Sequence, residues 1–205
     1  TVNLIGAESQ TERVQNFEAA YEPLGEKPWT FLPKREGELL DEINVHPTLG
    51  DITERIFVGI QTSKDDVYIL DIEEEHQSHY FCYSEVLEAT VEIEKAITKP
   101  LLKGNQFGKW YTSEHNKVVI FPYRINKKGG KKKAELLQES YIESECPNAH
   151  TYLTKNKSVL EQRGNGDWED SDSWYEFGRR QNIEQFGDEK IMTSVLNKGS
   201  KFSLD

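Results

Sequence analysis

The chain of 205 residues is 36% hydrophobic and 11% aromatic, which is enough to bury one core or one core with an appended subdomain. Its net charge of -11, taken as a single number, argues against a nucleic-acid-binding protein. No apolar run is long enough to span a bilayer and no signal-peptide pattern begins the chain, so we expect a cytoplasmic protein without a membrane partner.

The first part of the chain, residues 1–27, is polar with few apolar anchors and indicates a linker or a peripheral helix. Within residues 34–43, Leu39, Leu40 and Ile43 recur at helical spacing, which predicts a helix with one face packed inward. We therefore expect one folded domain over residues 28–205, preceded by a linker.

Apolar, β-branched runs at residues 56–60 and 67–72 predict two strands, and the polar connection between them predicts a hairpin with a longer loop. Residues 79–83 are a third strand candidate. Residues 117–123 form a strong strand pattern, in which Pro122 indicates an edge strand or a strand end.

The second half of the chain adds helices and further strands. Pro147 opens a predicted helix that Gly164 ends, and strand patterns return at residues 190–196 and 202–204. Several strands are thus interrupted by two or three helices without regular alternation. This order predicts an α+β fold with mixed, strongly twisted sheets and a few packed helices.

The charge is distributed unevenly along the chain. Residues 1–98 carry 7 Lys and Arg against 21 Asp and Glu, whereas residues 99–133 carry ten basic residues and one acid. Exposed charges are screened beyond about 8–10 Å at physiological salt, so a local patch decides where a polyanion docks. We expect phosphate contacts from Lys103, Lys127, Lys128, Lys131, Lys132 and Lys133. The alternative is that the lysines flank a mobile Gly129-Gly130 loop and only keep it soluble.

Residues 174–182 combine aromatic rings, a glycine, two arginines and two amides. Rings stack on bases, arginine binds phosphate or a guanine edge, and amides read adenine. The candidates for base contacts are Arg179, Arg180 and Gln181, with Ser63 and Lys64 in the predicted hairpin loop as a second group. Trp174 and Tyr175 are candidates for stacking, with core positions as the alternative. For the arginines, the alternative is an ion pair with the acidic residues at 167–172.

The cysteines and histidines do not indicate a metal site. Cys82 and Cys146 follow no metal or redox spacing, and two buried thiols are favoured over a disulfide. His76, His79 and Cys82 would share a face only on a helix, whereas residues 79–83 are typical of a strand. We expect exposed histidines there rather than a zinc site.

No catalytic motif is present in the sequence. A dinucleotide or S-adenosylmethionine site needs a glycine-rich turn between a strand and a helix, and the chain has neither that turn nor an Asn-Pro-Pro-aromatic run. Asp188-Glu189-Lys190 suggests a nuclease only if further carboxylates lie against it. We therefore expect no catalytic residue, metal or cofactor in this chain.

In their order along the chain, these motifs resemble the C-terminal target-recognition domain of TaqI-like adenine-N6 DNA methyltransferases, including fused restriction–modification enzymes. The resemblance covers residues 28–205. It is carried by Pro28-Trp29-Thr30-Phe31-Leu32, Glu38-Leu39-Leu40, Leu49-Gly50-Asp51-Ile52, Ile56-Phe57-Val58-Gly59-Ile60-Gln61-Thr62, Lys99-Pro100-Leu101-Leu102-Lys103-Gly104, Val119-Ile120-Phe121-Pro122-Tyr123, Leu160-Glu161-Gln162-Arg163-Gly164, residues 174–182 and Lys190-Ile191-Met192.

The chain departs from the family pattern at two places. Ser63 stands where the family tends to have the last glycine of Gly-Ile-x-Thr-Gly, which alters the turn. The chain also stops at Asp205, whereas family members continue with more strands, so we expect a truncated C-terminal edge.

The resemblance implies a DNA sequence-recognition domain that holds double-stranded DNA against a separate methyltransferase domain. That domain would flip an adenine out of the duplex and methylate its N6 from S-adenosylmethionine. Because the chain begins with Thr1 rather than Met, we expect the catalytic domain to precede it, with or without a fused nuclease. The alternative function is a protein-interaction module whose acidic N-terminal half docks on a basic partner.

Overall fold

The computed structural model describes residues 2–6, 13–17, 32–103, 106–108, 111–112, 115–165, 168–194 and 201–204. The chain divides into two compact units, residues 1–57 and 58–205. This division falls after Phe57, whereas the sequence predicted a boundary before residue 28. Of the segments that carry the family resemblance, residues 28–31 and Gly104 lie outside the described residues.

The first unit contains a hairpin and two helices. β1 (Val2–Gly6) pairs antiparallel with β2 (Arg13–Phe17), where the sequence had indicated a linker or a peripheral helix. α1 (Lys34–Asn44) confirms the predicted helix, and α2 (Leu49–Ile52) follows it. The prediction that the apolar face of α1 packs inward is wrong, because Leu39 and Ile43 are 55% and 56% exposed and Leu40 is 38% exposed.

The second unit is built on a five-stranded antiparallel sheet with the strand order β5-β4-β3-β9-β6. Its strands are β3 (Ile69–Glu75), β4 (His79–Ser84), β5 (Ala89–Glu94), β6 (Thr98–Leu101), β7 (Phe107–Gly108), β8 (Tyr111–Thr112), β9 (Lys117–Ile120), β10 (Tyr123–Lys128), β11 (Lys131–Leu136), β12 (Ile191–Met192) and β13 (Ser203–Leu204). Its helices are α3 (Asp65–Tyr68), α4 (Glu139–Glu145), α5 (Pro147–Lys155) and α6 (Lys157–Glu161). The predicted α+β class is confirmed.

The hairpin predicted between residues 56–60 and 67–72 is wrong. The Thr62 hydroxyl donates to the Asp65 carboxylate at 2.6 Å and accepts the N–H of Lys64 at 3.0 Å, so α3 begins where the second strand was expected. β3 starts only at Ile69. Its two edges are occupied by β4 and β9, which leaves no edge for residues 56–60.

Two other strand predictions hold. β4 confirms the strand at residues 79–83, and β9 ends at Ile120, two residues before Pro122, which confirms the strand end. A second hairpin follows, in which β10 pairs with β11 through the two-residue turn Gly129-Gly130. Both glycines have positive φ (60° and 79°), as the type I′ turns of tight hairpins require.

The helix predicted from Pro147 to Gly164 is two helices. Pro147 occupies the first turn of α5, and Asn156 interrupts the helix by donating from its side chain to the Tyr152 carbonyl at 2.9 Å. Gly164 ends the helical region at φ 57°, as predicted. Near the C-terminus, β12 and β13 pair, but the strand predicted for residues 190–196 is seen only at Ile191–Met192, and residues 195–196 lie outside the described part.

The core lies between the five-stranded sheet, α5 and the segment that contains Trp174. α5 is tied to the sheet through the carboxylate of Glu94, which accepts the N–H groups of Asn148 and Ala149 at 2.8 and 2.9 Å. A carboxylate at a helix N-terminus satisfies N–H groups that the helix leaves unpaired. Within the described residues, no helix has the length and apolar character needed to cross a bilayer.

Both cysteines are buried and unpaired, which confirms the sequence prediction. Burial raises the pKa of the Cys82 thiol to about 12 and that of Cys146 to about 11. Nearby carboxylates act in the same direction, Glu73 and Asp71 on Cys82 and Glu94 and Glu145 on Cys146. Both thiols are therefore protonated and unreactive at neutral pH.

Candidate nucleic-acid interface

The segment that precedes the two C-terminal arginines is held by a buried arginine. Arg163 is almost fully buried, and its guanidinium donates to the carbonyls of Trp174 at 2.6 Å and Glu176 at 2.7 Å. The same guanidinium donates to the carbonyl of Thr62 at 3.3 Å. A buried charge is tolerated when hydrogen bonds satisfy it, and here one side chain joins residues 62, 174 and 176.

Two buried tyrosine hydroxyls hold the same segment from other directions. The Tyr68 hydroxyl donates to the Tyr175 carbonyl at 2.8 Å, and the N–H of Phe177 donates to the Tyr123 hydroxyl at 2.6 Å. Burial raises the pKa of both tyrosines, so the hydroxyls stay protonated. The Phe177 ring packs edge-on against Tyr68 with the centroids 5.1 Å apart. Consecutive backbone groups from Trp174 to Phe177 are thus fixed.

The chain then leaves the core as the arginine segment, which we define as residues 178–181. The N–H of Gly178 donates to the Thr62 carbonyl at 3.0 Å and the N–H of Arg179 to the Gln61 carbonyl at 3.2 Å, forming an antiparallel bridge. The arginine segment therefore lies against residues 61–64, which we call the 61–64 loop. These are the two groups predicted to contact bases, and the fold brings them together.

Within the arginine segment, the two arginines have different surroundings. Arg180 forms an ion pair with Glu176, whose side chain is 5% exposed, while the Arg180 side chain is 66% exposed. The sequence offered an alternative partner for the arginines, namely the acidic run at 167–172. Arg180 pairs with Glu176 instead of with an acid in the described part of that run, residues 168–172. Arg179 and Gln181 are exposed, and Arg179 has no carboxylate partner among the described residues.

Most of the predicted lysines lie on the hairpin of β10 and β11, which we call the lysine hairpin. Lys127 and Lys132 are directly opposite each other in its register. Lys132 forms an ion pair with Asp188, and Lys133 lies 3.5 Å from Glu135. Lys127 and Lys131 are exposed without a carboxylate partner in the described part of the chain, and the side chain of Lys128 lies outside that part. The lysines sit on the paired strands that flank the Gly129-Gly130 turn.

A cleft of about 250 Å³ joins the lysine hairpin to the arginine segment. Its apolar wall consists of Tyr123, Ala134, Leu136 and Ile183. Its polar lining consists of Lys132, Lys133, Arg180 and Glu184. Three cations from two separate parts of the sequence thus border one concave surface.

The remaining predicted lysines lie beside the 61–64 loop. Lys64 forms an ion pair with Asp66 at 3.3 Å, and Lys103 lies 3.6 Å from Asp65. Asp65 also accepts the hydroxyl of Thr62, so Lys103 is linked to the 61–64 loop through this carboxylate. Ser63 is exposed and has a positive φ of 60°, a backbone conformation that favours glycine.

The prediction that Trp174 and Tyr175 stack on bases is not compatible with their positions. Both rings are buried, at 2% and 3% exposure. The Trp174 indole N–H donates to Glu139 at 3.3 Å, and the Tyr175 hydroxyl donates to the Leu137 carbonyl at 2.7 Å. Both residues belong to the hydrophobic core, which is the alternative that the sequence left open. We remove them from the candidate contacts.

The histidines near β4 have carboxylate neighbours. His76 lies 2.8 Å from Glu74, and His79 lies 3.7 Å from Glu92, while Cys82 is buried in the core. No group of three or more His, Cys, Asp or Glu side chains is arranged to hold a metal ion within the residues that the structure describes.

Sequence reasoning missed three residues that build the site, namely Arg163, Glu176 and Thr62. The fold brings Arg163 to the carbonyls of Thr62 and Glu176, which lie 101 and 13 residues away in sequence. An arginine that donates to four carbonyls, as Arg163 does, has the same local sequence appearance as an exposed one. Two features of the sequence pointed to Glu176: its position between two aromatic residues, which is typical of burial, and its spacing of four residues from Arg180.

No protein-family model matches the sequence, and no curated protein matches it either. The surface formed by the 61–64 loop, the arginine segment and the lysine hairpin offers guanidinium, ammonium and amide donors around a cleft. These are the groups that bind phosphate oxygens and base edges in nucleic acids.

Proposed function

We propose that the chain is a DNA sequence-recognition domain that holds duplex DNA against a separate catalytic domain, as in the adenine-N6 methyltransferases and fused restriction–modification enzymes that it resembles. The observation that carries this proposal is the convergence of three groups of candidate residues that are far apart in sequence. The 61–64 loop is bridged to the arginine segment, and the arginine segment shares a cleft with the lysine hairpin.

The charges of this surface support phosphate binding at the lysine hairpin. Lys127 and Lys131 have no carboxylate partner among the described residues, so their charges are available to a polyanion. Lys133 is paired with Glu135, but both side chains are largely exposed. Such pairs contribute only about 0–1 kcal/mol, so a phosphate group can replace the carboxylate at little cost.

The register of the lysine hairpin also favours a functional role. Like charges directly opposite each other on neighbouring strands are destabilising, and Lys127 faces Lys132 in this way. Asp188 offsets the charge of Lys132 on one side. A local arrangement that costs stability is typical of a functional site, because the charges become favourable when a polyanion binds.

The fixed backbone of the arginine segment supports base reading. Hydrogen bonds from the core hold Trp174 to Phe177, and the 61–64 loop holds Gly178 and Arg179. Side chains that project from a pre-organised backbone lose less conformational entropy on binding. We assign phosphate contacts to the lysine hairpin and base contacts to the arginine segment and the 61–64 loop.

In this proposal the chain binds and positions DNA and supplies no reacting group. Methyl transfer from S-adenosylmethionine belongs to the separate catalytic domain, and a restriction–modification role implies a cytoplasmic location. The phosphate contacts fix the duplex and the base contacts select the sequence, which is the usual division of work in protein–DNA interfaces.

The test is retention of a pool of random DNA duplexes by the purified chain at low salt, followed by sequencing of the retained fraction. We expect retention and enrichment of a short sequence. Failure of the chain to retain any duplex at low salt would contradict the proposal. Retention without enrichment would contradict sequence recognition and leave a non-specific DNA-binding domain.

A second candidate function, a protein-interaction module, is favoured by the exposed apolar face of α1. Leu39, Leu40 and Ile43 are exposed on a helix that also carries Glu36, Glu38, Asp41 and Glu42. An apolar stripe between acidic residues fits a basic protein groove. We would compare cross-linked partners of the wild type with those of Leu39→Lys/Ile43→Lys. Partners lost by the variant, with DNA retention unchanged, favour this function, whereas identical partner sets argue against it.

A further inference from the structure

We propose that Arg180 reads a guanine in the major groove and that Glu176 is the residue that positions its guanidinium. This inference rests on the proposed DNA-recognition function and deepens it, since it names the base and the residue that aims the contact. It follows from the contrast between a buried, fixed carboxylate and the exposed arginine that it holds.

Glu176 is immobilised through both its backbone and its side chain. Its carbonyl accepts hydrogen bonds from Arg163 at 2.7 Å and from the Tyr68 hydroxyl at 3.3 Å. Its carboxylate accepts the hydroxyl of Ser173 at 3.2 Å through Oε1, and Oε2 is in contact with Arg180. The carboxylate is therefore a fixed anchor that determines where the guanidinium of Arg180 lies.

The difference in exposure leaves most of the guanidinium available. Glu176 is 5% exposed and occupies one terminal nitrogen of Arg180, whose side chain is 66% exposed. Arginine has five N–H donors in a rigid planar fork, so contact with one nitrogen leaves further donors for a second partner. Guanine presents two acceptors, N7 and O6, in the geometry that such a fork matches.

The buried carboxylate favours a base over a phosphate as this second partner. A phosphate oxygen carries a negative charge and is repelled by Glu176, which also neutralises part of the arginine charge. Guanine N7 and O6 are neutral acceptors, for which donor direction matters more than net charge. Arg179 lacks a described carboxylate partner and keeps its full charge, so the two neighbouring arginines are not equivalent.

The experiment uses the full chain and a duplex site obtained from the random pool, with each base pair of the site varied in turn. Arg180→Lys keeps the positive charge but loses the planar fork. We expect it to lose about 5- to 150-fold discrimination at one guanine, which corresponds to one bidentate contact, while affinity for unrelated duplex stays close to that of the wild type. Arg35→Lys, on α1, is the matched control and should leave discrimination unchanged at every position.

Glu176→Gln tests the positioning role separately. We expect lower discrimination at the same guanine with equal or higher affinity for unrelated duplex, because a negative charge is removed near DNA. If Glu176 has a purely structural role, Glu176→Gln should lower the affinity for the selected site and for unrelated duplex together. That result would overturn the positioning role. If Glu176→Gln does not fold, Glu176→Asp withdraws the carboxylate while keeping its charge, and the same loss at the same guanine is expected.

The outcomes separate this inference from the proposed function. If the wild type selects a sequence but Arg180→Lys keeps full preference at every position, the guanine assignment is wrong and the DNA-recognition function stands. If the wild type retains no duplex, the function itself fails, and with it the assignment of Arg180.

Discussion

Gly178 lies directly against the side chain of Ser63, at the point where the arginine segment crosses the 61–64 loop. The N–H of Gly178 donates to the carbonyl of Thr62 at 3.0 Å, and a Cβ atom built on Gly178 would overlap with the Ser63 Cβ and Oγ. Glycine is therefore required here for close approach of two chain segments, which is one of its specific structural uses.

Gly178→Ala should destabilise the second unit and displace the arginine segment. Overpacking of this kind costs about 1–3 kcal/mol, measurable as a loss in the free energy of unfolding by urea denaturation. Gly187→Ala is the matched control, since a Cβ there meets nothing within 4 Å. Adding Ser63→Gly should restore part of the loss, because it removes the clashing side chain at a residue with positive φ. Equal unfolding free energies for the two alanine variants would contradict this packing.

Arg163→Lys should lower stability more than its conservative chemistry suggests. The guanidinium satisfies buried carbonyls at residues 62, 174 and 176, and a lysine ammonium does not reproduce that planar fork. Each buried carbonyl left unpaired costs about 1–3 kcal/mol, so we expect a loss of about 2 kcal/mol or more in the free energy of unfolding.

Arg124→Ala is the comparison variant for Arg163→Lys. Arg124 is exposed and its guanidinium lies 5.3 Å from the centroid of the Tyr141 ring. An exposed contact of this kind is worth about 0.5–1 kcal/mol. A loss for Arg163→Lys no larger than that for Arg124→Ala would show that Arg163 does not organise the segment.

The structure predicts a loss of stability at alkaline pH. Burial raises the pKa of Cys82 and of Tyr175 to about 12 and that of Cys146 to about 11, each above its unfolded value. Groups with a raised folded pKa bind protons more tightly when folded, so the stability they contribute is present below the unfolded pKa and is lost as pH rises through the folded pKa.

The urea midpoint should therefore be flat between about pH 7 and 8.5 and should fall from about pH 9 towards 11. Cys82→Ala should reduce the steepness of this fall, because one of the groups that gains a charge on unfolding is removed. A midpoint that stays constant or rises over the same range would contradict the burial of these groups.

Local features of the sequence predicted much of the secondary structure. The strand at residues 79–83, the strand end before Pro122 and the helix start at Pro147 all follow from short-range pattern and proline geometry. The hairpin of β10 and β11 was missed although Gly129-Gly130 is a typical two-residue turn. Its strands are rich in lysine, so the apolar alternation that usually reveals a strand is weak.

Long-range pairing could not be read from the sequence. The bridge between Gln61 and Arg179 depends on how the sheet and the buried Arg163 place two distant segments. The strand expected at residues 56–60 does not form, and this too depends on long-range pairing, because β4 and β9 occupy both edges of β3. The candidate residues were predicted from their chemistry, whereas their convergence on one surface required the fold. For Trp174 and Tyr175, residue type alone could not decide between the two roles, because a ring that can stack on a base can also pack in a core.

Duplex affinity as a function of salt tests the account most directly, with Lys127→Ala/Lys131→Ala compared with Lys99→Ala/Lys155→Ala. Each double variant removes two exposed lysines, but only the first pair lies on the lysine hairpin. We expect the first to lower the slope of log K against log salt by about 2, at roughly 0.9 per lost phosphate contact, and the second to leave the slope of the wild type unchanged. Identical slopes for the two double variants would contradict DNA binding through this surface.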